Sequence, residues 1–90
     1  MGNLKLVRET LANKNFASIQ ESIGNYLNLS YVYHINGKYA ESVTACEQVI
    51  AMDSNNLTAY NNICSAYNAM GLFDKAARAC EKALSINPNY

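Results

Sequence analysis

The side chains that could do chemistry in this 90-residue sequence are three cysteines and one histidine. Cys46, Cys64 and Cys80 contain no C-x-x-C pair, and His34 has no cysteine or carboxylate cluster beside it. A protein metal site usually needs three or four ligands at close spacing, and a cysteine nucleophile needs a base held by a third group. The sequence offers neither arrangement, so we predict no catalytic residue, no metal, no cofactor and no enzymatic activity.

The cysteine count also bears on the cellular compartment. An odd number without close pairs does not suggest a disulfide framework, and a free cysteine behaves as a small apolar residue in a protein core. We therefore expect all three to be buried free thiols, as in proteins of a reducing compartment. This points to a cytoplasmic location.

Composition and charge exclude several classes of partner. Lys plus Arg and Asp plus Glu number seven each, so the formal net charge is zero. No excess of positive charge is present to attract nucleic acid or anionic lipid, and no run of 18 apolar residues could span a membrane. The seven tyrosines could form a stacking platform for bases, but no basic groove is predicted beside them. We expect neither nucleic acid nor membrane as a partner.

The sequence contains an internal repeat, in which two of the three cysteines occupy matched positions. Residues 23–56 and 57–90 are the same unit written twice at a period of 34 residues. The matched pairs include Tyr26 and Tyr60, Asn28 and Asn62, Tyr33 and Tyr67, Gly37 and Gly71, and Cys46 and Cys80. A fixed period of this length is typical of solenoid proteins, in which each unit is one supersecondary element.

Each unit is predicted to be a helical hairpin. Apolar residues recur at helical spacing on both sides of Gly37 and Gly71, and a glycine just past a helix end can take the left-handed conformation. The tyrosines at the matched positions are predicted to pack in the core, because tyrosine buries a large area.

The first 22 residues do not belong to the repeat. Leu4, Val7 and Leu11 predict a short helix with one apolar face, and the segment 13–15 predicts a break. Ser18 and Glu21 have the spacing of a capping box, so the next helix is predicted to begin near residue 19. The sequence therefore predicts five helices.

The repeated residues resemble a known family pattern. The tetratricopeptide signature is W-x2-L-G-x2-Y, then A-x3-F, then P. The second unit carries Tyr60-x2-Ile63-Cys64-x2-Tyr67, then Ala76-x3-Cys80, then Pro88. The first unit carries Tyr26-x2-Leu29-Ser30-x2-Tyr33, then Ser42-x3-Cys46, then Ser54. The resemblance implies an all-α fold of hairpins stacked as a right-handed α-α superhelix. One domain would comprise an N-terminal helix and lead-in at 1–22 and two tetratricopeptide repeats at 23–90.

The resemblance also implies a function, namely a protein-interaction scaffold. The first helix of each repeat would line a concave groove for an extended peptide or a partner helix. The groove residues would be Leu27, Asn28, Tyr31, His34, Asn61, Asn62, Ser65 and Asn68. Asn28 and Asn62 form a spaced pair, and because an amide offers both a donor and an acceptor, each could clamp a peptide bond. The family's clamp for acidic chaperone tails is not expected, since Leu27 and Tyr31 stand where it needs Lys and Asn.

Two other hypotheses remain open. With zero net charge and an apolar face around Ala79, Ala83 and Ile86 left uncapped, the C-terminal hairpin could mediate homodimerisation or exchange of helices. Alternatively, the chain is the repeat fragment of a larger enzyme, such as a glycosyltransferase or a methyltransferase. The oligomeric state would discriminate best between these hypotheses.

Overall fold

Four helices form two hairpins in the computed structural model, which describes residues 3–89 apart from the side chains of residues 3, 4, 7 and 10–12. The helices are α1 (Asn3–Ile35), α2 (Tyr39–Met52), α3 (Leu57–Ala69) and α4 (Phe73–Ile86). Helix α1 packs on α2 and α3 packs on α4, while α3 also contacts α2 and α1. Among the described helices, α4 contacts only α3.

The prediction of five helices is wrong because α1 is continuous from Asn3 to Ile35. The predicted break at 13–15 is helical, and Ser18 and Glu21 lie inside the helix instead of capping a new one. Asparagine lowers helix propensity by only about 0.7 kcal/mol relative to alanine, and no proline interrupts this segment. The predicted apolar face of Leu4, Val7 and Leu11 lies outside the described side chains.

Each hairpin turns at the predicted glycine. Gly37 and Gly71 have φ of 75° and 74°, a left-handed conformation that other residues adopt only at an energetic cost. The amide of Lys38 donates to the Tyr33 carbonyl at 2.8 Å, and the amide of Leu72 donates to the Tyr67 carbonyl at 2.9 Å. These bonds satisfy carbonyl groups that the helix ends leave free, so the two turns share one geometry.

The connection between the hairpins is fixed by polar side chains. The Asn56 side chain accepts a hydrogen bond from the Ala59 amide at 2.9 Å and so caps the start of α3. Its Nδ2 donates to the Asp53 carboxylate at 3.1 Å. Capping by asparagine typically contributes about 1 kcal/mol, so this cap fixes where α3 begins.

The core lies where α2 and α3 meet, and it consists of small and β-branched residues. Val49, Cys46, Ala59 and Ala66 have no exposed surface. The rest of the buried cluster comprises Ile23, Val43, Ile63, Cys64, Ala76 and Ala79. Because alanine and cysteine have short side chains, the helices can approach closely without a large aromatic residue between them.

Helix α1 extends well past this core. At 1.5 Å per residue, its 33 residues span about 50 Å, whereas the 14 residues of α2 span about 21 Å. Residues 13–21, which we call the projecting segment, are exposed throughout. The resulting shape is elongated, with extents of 60 × 29 × 17 Å.

Candidate functional site

A narrow crevice between α1 and α3 brings together residues from the two units. Tyr31 and His34 of α1 face Asn62 and Ser65 of α3 around a space of about 40 Å³. This volume accommodates water or the tip of one side chain. The crevice is therefore part of a surface for contact and is too small to enclose a substrate.

Two buried serines form the floor of the crevice. The Ser42 hydroxyl donates to the Ser30 carbonyl at 2.9 Å, and the two hydroxyl oxygens lie 2.9 Å apart. The Ser30 Oγ also lies 3.0 Å from the Cys46 Sγ. Because Ser42 donates its proton to the carbonyl, Ser30 donates to Ser42, and the thiol of Cys46 donates to Ser30. Every group in this buried network has a partner, and it joins α1 to α2.

Burial keeps the Cys46 thiol neutral. Burial raises the pKa of the Cys46 thiol above its ordinary value, and the charge of Glu47 acts in the same direction. In the thiolate form the Ser30 hydroxyl would donate to the sulfur, which lowers the pKa, but burial is the larger effect. A buried neutral thiol is a poor nucleophile, so Cys46 has a structural role.

The two predicted clamp residues differ in exposure and have no hydrogen-bond partner among the described residues. Asn28 is exposed and Asn62 is half-buried, and neither side chain makes a hydrogen bond with a described residue. The remaining asparagines differ: Asn61 is half-buried without a partner, whereas the Asn68 amide contacts the Cys64 sulfur at 3.7 Å. Asn28, Asn61 and Asn68 do not line the crevice.

The other predicted groove residues are partly engaged within the fold. Leu27 packs against the core. The His34 ring meets the Tyr39 ring edge to face at 5.1 Å between centroids, which fixes its orientation across the first turn. Tyr31, by contrast, is 64% exposed, so its ring is open to a partner.

The expectation of three free thiols is wrong. Cys64 and Cys80 form a disulfide that joins α3 to α4, with 5.4 Å between their Cα atoms. The two positions face each other across the second hairpin, within the distance range that disulfides bridge, although they are 16 residues apart in sequence. The argument from free thiols to a cytoplasmic location therefore applies to Cys46 alone.

The four matched tyrosines are half-buried, so the prediction of core packing holds for only part of each ring. Tyr26 and Tyr33 line an open groove between α1 and α2. Tyr60 and Tyr67 line a groove at the equivalent place between α3 and α4. We call these the first-unit groove and the second-unit groove.

Within the described part of the chain, no group of three His, Cys, Asp or Glu side chains is arranged to hold a metal ion. Despite its length, α1 lacks the sustained apolar run that a membrane span requires, as do the other described helices.

Comparison with protein families decides the assignment. Two models described as "Tetratricopeptide repeat" match the sequence, one at residues 17–56 and the other at 58–90. The chain belongs to the tetratricopeptide repeat family. The predicted fold class of stacked helical hairpins is thereby confirmed. A comparison with curated proteins finds no match.

The first tetratricopeptide match begins six residues before the predicted boundary at residue 23. The division into 1–22, 23–56 and 57–90 stays a prediction. Proteins of this family generally act as protein–protein interaction modules, so this chain is a protein-binding scaffold at that level of description.

The tetratricopeptide signature contained a signal for the features that sequence reasoning missed. Ser30 and Cys64 occupy the signature's glycine position, and Cys46 and Cys80 occupy its phenylalanine position. These two positions meet within each hairpin, as a hydrogen bond in the first repeat and as a disulfide in the second. The pairing could have been predicted by treating the two signature positions as neighbours in space.

The predicted uncapped face of the C-terminal hairpin is also corrected. Ala79 is 8% exposed and Ala83 is 1% exposed, because both pack toward α3, and Ile86 is half-buried. The apolar residue that α4 does expose in this region is Leu84, at 46%.

Proposed function

We propose that this protein binds an extended peptide in the concave groove formed by α1 and α3. The observation that carries the proposal is the crevice in which Tyr31 and His34 of the first repeat meet Asn62 and Ser65 of the second. A peptide crossing this crevice would contact both repeats at once. Binding surfaces that span adjacent repeats are characteristic of solenoids.

The paired asparagines supply the recognition chemistry. Asn28 and Asn62 occupy the same position in consecutive repeats, and both amides are free of partners among the described residues. Each amide can donate to a peptide carbonyl and accept from a peptide N–H. Two such clamps would hold a backbone in extended form without reading its side chains.

The groove's composition points to a partner of low charge. None of the eight proposed groove residues is Lys, Arg, Asp or Glu. Recognition would rest on amide hydrogen bonds and on the exposed ring of Tyr31, so we expect affinity to change little with ionic strength.

No catalytic role forms part of the proposal. Cys64 and Cys80 are joined in a disulfide, Cys46 is buried and hydrogen-bonded, and His34 packs on Tyr39. These contacts support a binding function, and the absence of enzymatic activity stays a prediction.

The test is selection of peptides from a random phage-displayed library, followed by measurement of affinity by isothermal titration calorimetry. The variant Asn28→Ala/Asn62→Ala should weaken binding of the selected peptides roughly tenfold or more, because each hydrogen bond contributes about 1 kcal/mol. A matched control is Asn13→Ala/Asn15→Ala, which removes two exposed amides from the projecting segment and should leave affinity unchanged. Equal affinity of wild type and Asn28→Ala/Asn62→Ala would contradict the asparagine clamp.

Self-association is a second candidate, favoured by a comparison of equivalent positions. Ile63 on α3 is 7% exposed, whereas its counterpart Leu29 on α1 is 40% exposed. Ile50 on α2 packs against the core, whereas its counterpart Leu84 on α4 is 46% exposed. A second copy could place its α1 on α4 in the way that α3 lies on α2.

A further inference from the structure

The first-unit and second-unit grooves are lined by equivalent tyrosine and aliphatic residues, but they differ in charge. Tyr26, Leu29 and Tyr33 line the first groove, and their counterparts Tyr60, Ile63 and Tyr67 line the second. The volumes are similar, about 280 Å³ and 340 Å³. The shared lining residues follow from the repeat. A function specific to one groove must therefore come from the lining residues that differ between the two grooves.

The residues that differ between the two grooves are positively charged in the second repeat. Glu41, Thr44 and Gln48 line the first-unit groove. Thirty-four residues later they are replaced by Lys75, Arg78 and Lys82. The three cations are exposed, and their spacing of three and four residues places them on one face of α4.

The two lysines are held over the tyrosines of the second-unit groove. The Lys75 Nζ lies 5.7 Å from the centre of the Tyr67 ring, and the Lys82 Nζ lies 5.9 Å from the centre of the Tyr60 ring. Both distances are in the range of cation–π attraction. Neither lysine, nor Arg78 between them, forms an ion pair with a described carboxylate. The charges are thus oriented by the rings and still open to an anionic partner.

We propose that the second-unit groove, with Lys75, Arg78 and Lys82 along its edge, binds an acidic peptide segment. The site is distinct from the concave groove. At 100° per residue, Tyr60 and Tyr67 lie about 140–160° around α3 from Asn62 and Ser65, which line the crevice. The protein would therefore present a neutral peptide site and an acidic peptide site on opposite faces.

A peptide fits this groove better than a nucleic acid does. Base stacking needs an open ring face, and here one face of each ring lies under a lysine. Three cations also give only a small gain from the release of phosphate counterions. Carboxylate side chains need no stacking and can pair with all three cations.

The experiment measures fluorescence anisotropy of a labelled octaglutamate peptide at low ionic strength. The variant Lys75→Gln/Arg78→Gln/Lys82→Gln should weaken binding roughly tenfold, as expected for the loss of three exposed ion pairs. The matched control is Lys5→Gln/Arg8→Gln/Lys14→Gln, which removes the same charge from exposed positions of α1. Its affinity should stay within about twofold of the wild type, because these positions lie outside the groove.

Several outcomes would overturn the proposal. These are no binding to the wild type, an equal loss in both triple variants, or tighter binding of an octathymidine strand than of octaglutamate. Circular dichroism of each variant should match the wild type, since every substituted side chain is exposed.

A transfer of the cations gives an independent test. Glu41→Lys/Thr44→Arg/Gln48→Lys places the three charges over Tyr26 and Tyr33, the equivalent tyrosines. Calorimetry should then detect a second octaglutamate bound per chain, with affinity similar to the first. Unchanged stoichiometry would overturn the assignment of binding to the paired cations and tyrosines. The Asn28→Ala/Asn62→Ala variant should bind octaglutamate like the wild type, so this test is separate from that of the concave groove.

Discussion

At the scale of single residues, burial decides the protonation state of Cys46. The thiol is fully buried and lies 3.0 Å from the Ser30 Oγ. Because burial disfavours the charged form, the pKa of the Cys46 thiol is raised. Cys46 is therefore unreactive for two reasons: reagents cannot reach the buried sulfur, and little of the reactive thiolate form is present.

We predict that Cys46 reacts slowly with Ellman's reagent in the native protein at pH 8. The reaction should become rapid and reach one thiol per chain in denaturant, because Cys64 and Cys80 are paired. The Cys46→Ser variant should show no reactive thiol in either condition. Immediate labelling of native wild-type protein would contradict the buried network.

The same raised pKa predicts the direction of a pH effect on stability. The folded thiol holds its proton more tightly than the unfolded one, so deprotonation favours unfolding. The contribution is fully present below the ordinary thiol pKa of roughly 8.5 and is lost progressively as the pH rises above it. Urea unfolding between pH 7 and pH 10 should show a steeper loss of stability in the wild type than in Cys46→Ser. An identical dependence of stability on pH in the two proteins would contradict a raised pKa of the Cys46 thiol.

Two glycines should respond in opposite directions to alanine. Gly71 has a φ of 74°, so Gly71→Ala should lower the free energy of unfolding by about 1 kcal/mol. Gly24 lies inside α1, and an added Cβ there meets nothing within 4 Å. Gly24→Ala should therefore raise that free energy by about 0.5–1 kcal/mol. Both values follow from urea denaturation, and destabilisation by Gly24→Ala would show that the site packs more closely than the structure indicates.

At the scale of elements, the sequence predicts the repeated part of the fold better than the rest. The 34-residue period and the glycines predict the two hairpin turns at Gly37 and Gly71, because a positive φ favours glycine. The continuity of α1 was not predictable from the signals at 13–21, since Asn, Ser and Glu can either cap a helix or lie within one.

In the candidate site, too, the features that follow from the repeat are predictable from the sequence, and those that depend on tertiary packing are not. Sequence position alone predicts that Asn28 and Asn62 are equivalent, because equivalence is a property of the period. It does not show that the Cys64–Cys80 disulfide forms or that Lys75 lies over Tyr67. Both depend on how closely the helices of one hairpin approach, which is a tertiary property.

The disulfide of the second hairpin should be transferable to the first. Ser30 and Cys46 occupy the positions of Cys64 and Cys80, and their side-chain heteroatoms already lie 3.0 Å apart. We predict that Ser30→Cys forms a disulfide with Cys46 on oxidation, leaving no free thiol. Closing a loop of 16 residues stabilises a protein by about 3 kcal/mol. The gain in free energy of unfolding on oxidation should therefore be larger in this variant than in the wild type.

The control for this transfer is Ser42→Cys, which places a thiol on the same helix as Cys46. No disulfide between those two cysteines is expected, since neighbours on one helix do not have the geometry that the bond requires. A free thiol that persists in oxidised Ser30→Cys would mean that the two hairpins differ in helix spacing.

At the scale of the whole molecule, the repeat makes the two ends of the stack complementary. The Leu29 face of α1 corresponds to the Ile63 face of α3, and the Leu84 face of α4 corresponds to the Ile50 face of α2. Within the molecule Ile63 is buried and Ile50 packs against the core. Contact between Leu29 of one copy and Leu84 of another would cover the two counterparts that stay exposed.

A contact of this kind is head-to-tail, and it has a distinctive signature. Each patch binds the other patch and not a second copy of itself. Association therefore continues beyond the dimer, unless the rotation between successive copies closes a ring. We predict that wild-type protein shows concentration-dependent association in sedimentation velocity, and that Leu29→Gln and Leu84→Gln each remove it. An equimolar mixture of the two variants should form dimers only, because each partner retains one intact patch.

The exposed Phe16 of the projecting segment provides the matched control, since it is 64% exposed but lies outside both patches. Phe16→Gln should associate like the wild type. A mixture of Leu29→Gln and Leu84→Gln that stays monomeric would contradict head-to-tail contact. Loss of association in Phe16→Gln would instead place the contact on the projecting segment of α1, where the helix has an open apolar side chain and no described helix packs against it.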